Sequence, residues 1–228
     1  MIAAAGSGAR LGAGGPKALV EVAGRPLVAW CLDAFAAAES ISAIVIAAPP
    51  GHEAEIAELA PGAAVVSGGE ARSQSVANAL ERVETDLVAI HDAARPLVTA
   101  DLIDAVIAKL VEHPEAAGVI AAAAVTDTVK RAREPRSANG FPHGGPTVAR
   151  TESRDHLWSA QTPQAFRTDA LREALAADPQ QLAASTDEAM PIEKGGGKVL
   201  IEPAPASNLK VTTPDDVRVA AALLGQRA

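Results

Sequence analysis

Aromatic side chains are almost missing from this chain: two tryptophans, three phenylalanines and no tyrosine among 228 residues. Any core must therefore be built from Ala, Val, Leu and Ile. The shortage also excludes single-stranded nucleic-acid binding of the kind that stacks bases on aromatic platforms. Positive charge is short as well, with a formal net charge of −8, which excludes broad engagement of a phosphate backbone. An anionic substrate would have to be met by a local basic pocket in an acidic surface. Cys31 is the only cysteine, so no intrachain disulfide can form, and its apolar helical setting reads as a buried structural thiol. No apolar run is long enough to span a bilayer, and no basic stretch leads into a secretory signal. The expectation is a cytoplasmic protein with no membrane partner. The five histidines, at 52, 91, 113, 143 and 156, show no zinc-ligand spacing, and no Ser–His–Asp or Cys–His constellation stands out.

What is present is an ordinary globular composition, 48% hydrophobic and 21% charged, with apolar surface enough for a full core. The most informative stretch comes first. A short apolar run enters a loop holding Gly6, Gly8, Gly12, Gly14 and Gly15, punctuated by Arg10 and closed by Pro16-Lys17. Glycine lets a backbone turn through positive φ and approach a ligand closely, so converging N–H groups can cradle an anion. Neither common fingerprint fits. Leu11 stands where a dinucleotide-binding loop needs its third glycine, and Lys17 lies between Pro16 and Ala18 rather than in Gly-Lys-Ser/Thr. The alternative is a plain N-terminal turn with two solvated cations. The chain opens at Met1-Ile2, so the first strand can be only a few residues long, as it would be with a shortened N-terminus.

Beyond the loop the pattern alternates. Helices are expected over 27–35 (with Pro26 at the first helical position), 53–59, from the Gly68-Gly69 turn to residue 80, and over 101–112. Continuous apolar strands are expected at 41–48, 63–66, 87–91 and 118–125. Strands apolar throughout and alternating with helices imply a parallel sheet covered on both faces. From about 126 to 154 the rhythm breaks into Lys, Arg, Gly and Pro, with two-strand character at 127–130 and 147–150. That is read as a protruding hairpin arm, its Gly/Pro-rich tip at 139–146. Further on, Thr168 is expected to cap a helix over 168–177 and Ser185 one over 186–194, followed by a strand at 198–202. Thr213-Pro-Asp-Asp216 opens the last helix with a cap, a proline and two acids set against the dipole. One domain over 1–228, carrying an arm at about 127–154, is the economical reading.

Ligands of parallel α/β sheets bind outside the carboxyl ends of the strands. Those ends gather the glycine loop, Gly68-Gly69, Asp92-Ala-Ala-Arg95 and the 126–128 turn. A carboxylate ending a buried strand is costly unless paired or metal-bound. Asp92 is thus a candidate magnesium ligand, or else a partner of Arg95 or a loop cap. His91 reads as a packed strand-end residue. Arg10, Lys17, Arg72, Arg95, Arg154 and Lys210 are candidate pocket cations, though Arg72 and Arg154 could equally be solvated. The set fits phosphoryl or nucleotidyl transfer, where a protein mainly positions groups and neutralises charge.

Together the blocks Ala-Ala-Gly-Ser-Gly-Ala-Arg-Leu with Pro-Lys (4–17), Gly-Gly-Glu-Ala-Arg-Ser-Gln-Ser-Val (68–76), His-Asp-Ala-Ala-Arg-Pro (91–96), Gln-Thr-Pro-Gln (161–164), Thr-Asp-Glu-Ala (186–189) and Asn-Leu-Lys-Val-Thr (208–212) resemble the 2-C-methyl-D-erythritol 4-phosphate cytidylyltransferases. The resemblance runs in order over nearly the whole chain. It implies an α/β, Rossmann-like (GT-A-like) nucleotidyltransferase fold, a mainly parallel sheet flanked by helices, with a β-arm that interlocks a homodimer. It implies transfer of a cytidylyl group from CTP to methylerythritol 4-phosphate with Mg²⁺, in the non-mevalonate isoprenoid pathway. By motif position, Ala4, Ala5, Gly69 and Ser75 would line the cytosine pocket, Gly6, Ser7 and Gly8 would meet ribose and phosphates, and Ala93 belongs to the same nucleotide site. Arg10 and Lys17 would stabilise the transition state, and Asp92 would hold the metal. Arg95, Thr128, Arg154, Thr162 and Lys210 would surround the second substrate, Thr128 and Arg154 reaching a neighbour's site. Ser207 stands where many relatives have an acidic residue near Asn208, which weakens any claim for a second metal carboxylate. Two other functions stay open: the same chemistry on ribitol 5-phosphate or another polyol phosphate, and a catalytically silent nucleotide-binding regulator.

Overall fold

Short apolar segments that bury both faces make the centre of this fold. In the computed structural model, which describes residues 1–8, 11–12, 14–133, 145–176 and 185–226, the chain runs β1 (Ile2–Ala3), β2 (Glu21–Val22), β3 (Arg25–Pro26), α1 (Leu27–Ala37), β4 (Val45–Ala48), α2 (Glu53–Leu59), β5 (Ala64–Ser67) and α3 (Arg72–Leu80). It continues through β6 (Leu87–Asp92), α4 (Ala100–Glu112), β7 (Gly118–Ala124), β8 (Lys130–Ala132), β9 (Val148–Thr151) and β10 (Trp158–Arg167). The last elements are α5 (Thr168–Leu175), α6 (Ala189–Lys194), β11 (Val199–Pro203) and α7 (Pro214–Leu224).

Seven strands form one sheet in the order β11-β7-β10-β6-β1-β4-β5. All neighbours are parallel except β10, which runs antiparallel between β6 and β7. Period-two alternation sorts the core: Ile46 and Ala48 face one way with Phe35, Ile103 and Leu110, while Val45 and Ala47 face the other with Val76, Leu80 and Leu171. Each fully buried Leu, Ile or Phe contributes about 1.5–3 kcal/mol, and these come from the strands, as Ile2, Ile46, Ile90 and Phe166, as well as from the covering helices, as Phe35, Ile103, Leu110 and Leu171. A third cluster, with Val22, Leu27, Val211 and Leu224, seats α7 on the β2–β3 ribbon.

Most expected elements stand within a few residues of their place. β4 is shorter than expected, because residues 41–44 run as an irregular approach to it. Pro26 precedes α1 as its N-cap. Thr168 is the first residue of α5 rather than its cap, and its hydroxyl donates to the Thr85 carbonyl at 2.7 Å. The following helix starts at Ala189, three residues later than expected, and the Asp187 carboxylate accepts from the Met190 N–H at 3.1 Å. The α7 cap is as read: the Thr213 side chain and the Asp216 carboxylate bond reciprocally to backbone N–H groups across the first turn. The arm appears as the antiparallel β8–β9 pair. Its tip, residues 134–144, lies outside the described residues.

The short β2–β3 ribbon was not expected, and the strand of the seven-stranded sheet that the sequence pattern missed is β10. It carries Pro163 in mid-run and shifts register between Ala160 and Gln164, and a proline inside an apolar run argues against a strand. A bulge at the proline lets the chain pass without losing the sheet.

Candidate active site

The glycine loop closes on itself at the carboxyl end of β1. The Lys17 N–H donates to the Gly6 carbonyl at 3.0 Å and the Leu11 N–H to the Gly8 carbonyl at 2.8 Å. Gly8 has φ +68°, which L side chains rarely adopt, and a Cβ there would also press on the Gly15 carbonyl oxygen at 3.1 Å, so glycine is favoured on both counts. A 3-10 turn at Lys17–Leu19 follows directly. The loop is the rim of a cavity of about 280 Å³ whose wall includes Ala3, Ala4, Gly6, Ser7, Gly8 and Lys17, with Arg72, Asp92, Ala93 and Lys210 across from them. Arg10 lies outside the described residues.

Beside this cavity Gly68 packs so closely on Ala5 that a Cβ would come within 2.3 Å of the Ala5 Cβ. The Gly69 N–H donates to Ser75 Oγ at 3.0 Å, and that hydroxyl donates to the Ala71 carbonyl at 3.0 Å. Ser75 therefore shapes the turn that brings Gly68-Gly69 against Ala5.

Asp92 ends β6 at the cavity floor, 7% exposed. Lys210 Nζ stands 2.7 Å from its Oδ2, and Arg72 reaches its Oδ1 through Nη2 at 3.0 Å and Nε at 3.1 Å. Burial would raise this carboxyl, but the Arg72 and Lys210 cations outweigh it and hold the group well below the usual carboxylate range. The other end of Arg72 pairs through Nη1 with Glu188, which is 3% exposed. Burial raises the Glu188 carboxyl despite the opposing pull of Arg72.

Behind Asp92 runs a directed hydrogen-bond chain. The Asp92 N–H donates to Thr162 Oγ1 at 3.0 Å, and Thr162 Oγ1 lies 3.0 Å from His91 Nδ1. His91 Nε2 lies 3.1 Å from the Arg95 carbonyl, which can only accept. The imidazole therefore carries its proton on Nε2 and accepts from the Thr162 hydroxyl on Nδ1. Burial lowers His91 to about 4, which keeps it neutral. Asn208, 1% exposed, ties the last motif down by donating to Gln161 Oε1 at 2.8 Å and to the Thr162 carbonyl at 2.9 Å. The Val211 N–H then bonds the Ala94 carbonyl at 2.8 Å, which fixes Lys210 over Asp92.

The structure thus brings Ala4, Gly6, Ser7, Gly8, Lys17, Asp92, Ala93 and Lys210 to one cavity, with Ala5, Gly69 and Ser75 adjoining it. Two expected contacts fall elsewhere, and the two expected at a neighbour's site lie apart from this chain's own cavity. Thr162 is buried and faces His91 and Asp92 rather than the cavity. Arg95 turns inward, Nη1 donating to the Asn208 carbonyl at 2.8 Å and Nη2 to the Ala160 carbonyl at 3.3 Å. Thr128 and Arg154 are exposed beside the arm, away from this cavity. The alternative pairing of Asp92 with Arg95 is also corrected: the ion pairs are to Arg72 and Lys210, and the Arg95 guanidinium donates to carbonyls instead. Arg72, named only as a candidate pocket cation, is placed in the cavity wall, and Glu188 behind it is the residue the sequence left unassigned. Their signal lay in the 68–76 and 186–189 blocks, but nothing in a linear sequence says that they meet.

The model of the family described as 2-C-methyl-D-erythritol 4-phosphate cytidylyltransferase matches residues 1–226. The chain belongs to this family. Curated cytidylyltransferases of that name include one from Acidobacterium capsulatum, 37% identical over 243 residues and aligned across all of this chain and 97% of its own length. Another, from Prochlorococcus marinus, is 40% identical over 233 residues with the same coverage. Among solved structures, the cytidylyltransferase from Thermus thermophilus superposes with a TM-score of 0.75 at 31% identity, over 97% of this chain and 96% of that one. The cytidylyltransferase fold is the α/β arrangement described above, with a mostly parallel sheet between helices.

Proposed function

We propose that this chain transfers the cytidylyl group of CTP to 2-C-methyl-D-erythritol 4-phosphate, releasing pyrophosphate. One observation carries the chemistry: a self-closed glycine loop bearing Lys17 faces a buried carboxylate and Lys210 across a single cavity. The attacking group is a phosphate oxygen of the polyol phosphate, which forms a bond to the α-phosphorus of CTP as the α–β bridging P–O bond breaks. That oxygen is already anionic, so no general base is needed, and His91 is accordingly neutral and hydrogen-bonded on both nitrogens. The barrier lies in bringing two polyanions together in line. Converging N–H groups and cations lower it by charge stabilisation and positioning. Lys17 and Arg10 act on the α-phosphate, and Lys210 receives the second substrate's phosphate.

The donor set suits magnesium. Asp92 already draws two cations, and no group of three or more His, Cys, Asp or Glu forms a metal cage among the described residues. One carboxylate completed by substrate phosphates is how magnesium is commonly held at phosphoryl-transfer sites. Asp92 would be its protein ligand, and the ion would neutralise phosphate charge. We further propose a cytoplasmic homodimer interlocked through β8–β9, in which Thr128 and Arg154 reach the neighbour's cavity. Val148 and Trp158, 57% and 39% exposed near the arm, support such a cover. No helix among the described residues is long and apolar enough to cross a membrane. Family membership favours methylerythritol phosphate over ribitol 5-phosphate, and turnover over silent binding. The deciding experiment crosses the four nucleoside triphosphates with methylerythritol 4-phosphate, ribitol 5-phosphate and a sugar 1-phosphate in a pyrophosphate-release assay. Release is expected with CTP and methylerythritol 4-phosphate. Preference for another pair refutes the substrate assignment.

A further inference from the structure

Arg72 is held between two nearly buried carboxylates, Asp92 on the cavity floor and Glu188 behind it. In the free protein both oxygens of Asp92 are taken, Oδ1 by Arg72 and Oδ2 by Lys210. A divalent cation arriving at Asp92 competes with both of these cations for the carboxylate, and a nearby guanidinium left without a counter-charge would repel it. Glu188 supplies that counter-charge. Its Oε1 already accepts from Arg72 Nη1, and its Oε2 is buried with no hydrogen-bond partner among the described residues. The second oxygen can take up an Arg72 N–H as the guanidinium releases Asp92, giving the bidentate pairing that suits arginine. Together Arg72, Lys210, Asp92 and Glu188 sum to zero charge. Without Glu188 the sum becomes +1, beside the group expected to hold a divalent ion.

We infer that Glu188 is a positioning residue which, by sharing Arg72 with Asp92, makes the Asp92 carboxylate available to a divalent cation. The proposal rests on the reading of Asp92 as the metal ligand. It gives the 186–189 block a role: Glu188 sets metal affinity through Arg72 without touching substrate.

The test is direct binding of manganese(II), followed by electron paramagnetic resonance on the full chain with the α,β-methylene analogue of CTP. Glu188→Gln keeps the shape and removes the charge. Losing one unit charge close to a partly buried site, at an effective dielectric of about 20, weakens cation binding by on the order of tenfold or more. Glu188→Asp should fall between this variant and the parent, and serves in its place should the glutamine variant fail to fold. In Glu188→Gln/Arg72→Met the unbalanced cation is gone, and most of the lost affinity should return. A purely structural Glu188 would show no such recovery. Parent-like manganese binding in Glu188→Gln overturns the proposal, as does a double variant as weak as the single one. Asp92→Asn separates the two layers. If it binds manganese like the parent, the metal assignment itself is wrong. If it loses binding while Glu188→Gln does not, only the role of Glu188 fails.

Discussion

Replacing Thr162 with valine removes one hydroxyl and keeps the side-chain shape. In the folded chain that hydroxyl accepts from the Asp92 N–H at 3.0 Å and bonds His91 Nδ1 at 3.0 Å, with Thr162 only 4% exposed. Valine can do neither, so a buried donor and a buried acceptor both lose their partner. Each such orphan costs about 1–3 kcal/mol, and part is returned because the hydroxyl itself no longer needs desolvation. The net expectation is a destabilisation of about 3 kcal/mol. For a chain of 228 residues, this lowers the unfolding midpoint by about 6–12 °C. Thermal and urea unfolding at neutral pH measure it, with Thr162→Ser as the variant that restores the bonds. If Thr162→Val stays within about 1 kcal/mol of the parent while the KM for the polyol phosphate rises, Thr162 faces the substrate and the internal chain drawn above is wrong.

Three further outcomes follow from the same geometry. Burial holds His91 near pH 4 rather than its ordinary 6.5, so between those values the unfolded chain binds the extra proton. Stability therefore rises with pH across that window, by about 3 kcal/mol, and is lost as pH falls through it; the difference between parent and His91→Asn in urea unfolding at pH 4.5, 5.5 and 7 should narrow on acidification, and a constant difference contradicts the burial argument. Gly68→Ala would press a Cβ to 2.3 Å from Ala5 and 2.9 Å from the Ala48 carbonyl; overpacking of this kind costs about 1–3 kcal/mol and should weaken CTP binding by calorimetry, whereas parent-like affinity would separate this turn from the nucleotide pocket. Asp216→Ala removes acceptors for the Thr212 and Thr213 N–H groups at 2.7 and 2.8 Å; the lost cap should cost about 1 kcal/mol with catalysis at saturation unchanged.

The layered fold was legible because its parallel strands are apolar throughout, which leaves only one way to bury them. The glycine loop and Asp92 could be read from local sequence, since strand ends and glycine patterns announce phosphate sites, whereas Lys210 came from the resemblance of the 208–212 block. β10 could not, because Pro163 breaks the pattern and the strand survives only by a bulge between two neighbours. Nor could the pairings inside the site. The Arg72–Glu188 contact joins residues 116 positions apart, and the inward turn of Arg95 depends on where β10 and the 208 segment place their carbonyls. Residue types can be read along a chain, whereas the choice among several cations for one carboxylate is made by packing.

The central claim is that the glycine loop presents an α-phosphate for attack and that Lys17 stabilises the transition state rather than only holding nucleotide. Single-turnover rates and CTP affinity of Lys17→Ala, compared with the parent, test it most directly. Loss of one electrostatic stabiliser lowers the rate by about two to three orders of magnitude, so the saturated rate should fall by that much while the CTP Kd changes by less than about tenfold. A variant that turns over near the parent rate once saturated, with only its CTP affinity weakened, would contradict the account.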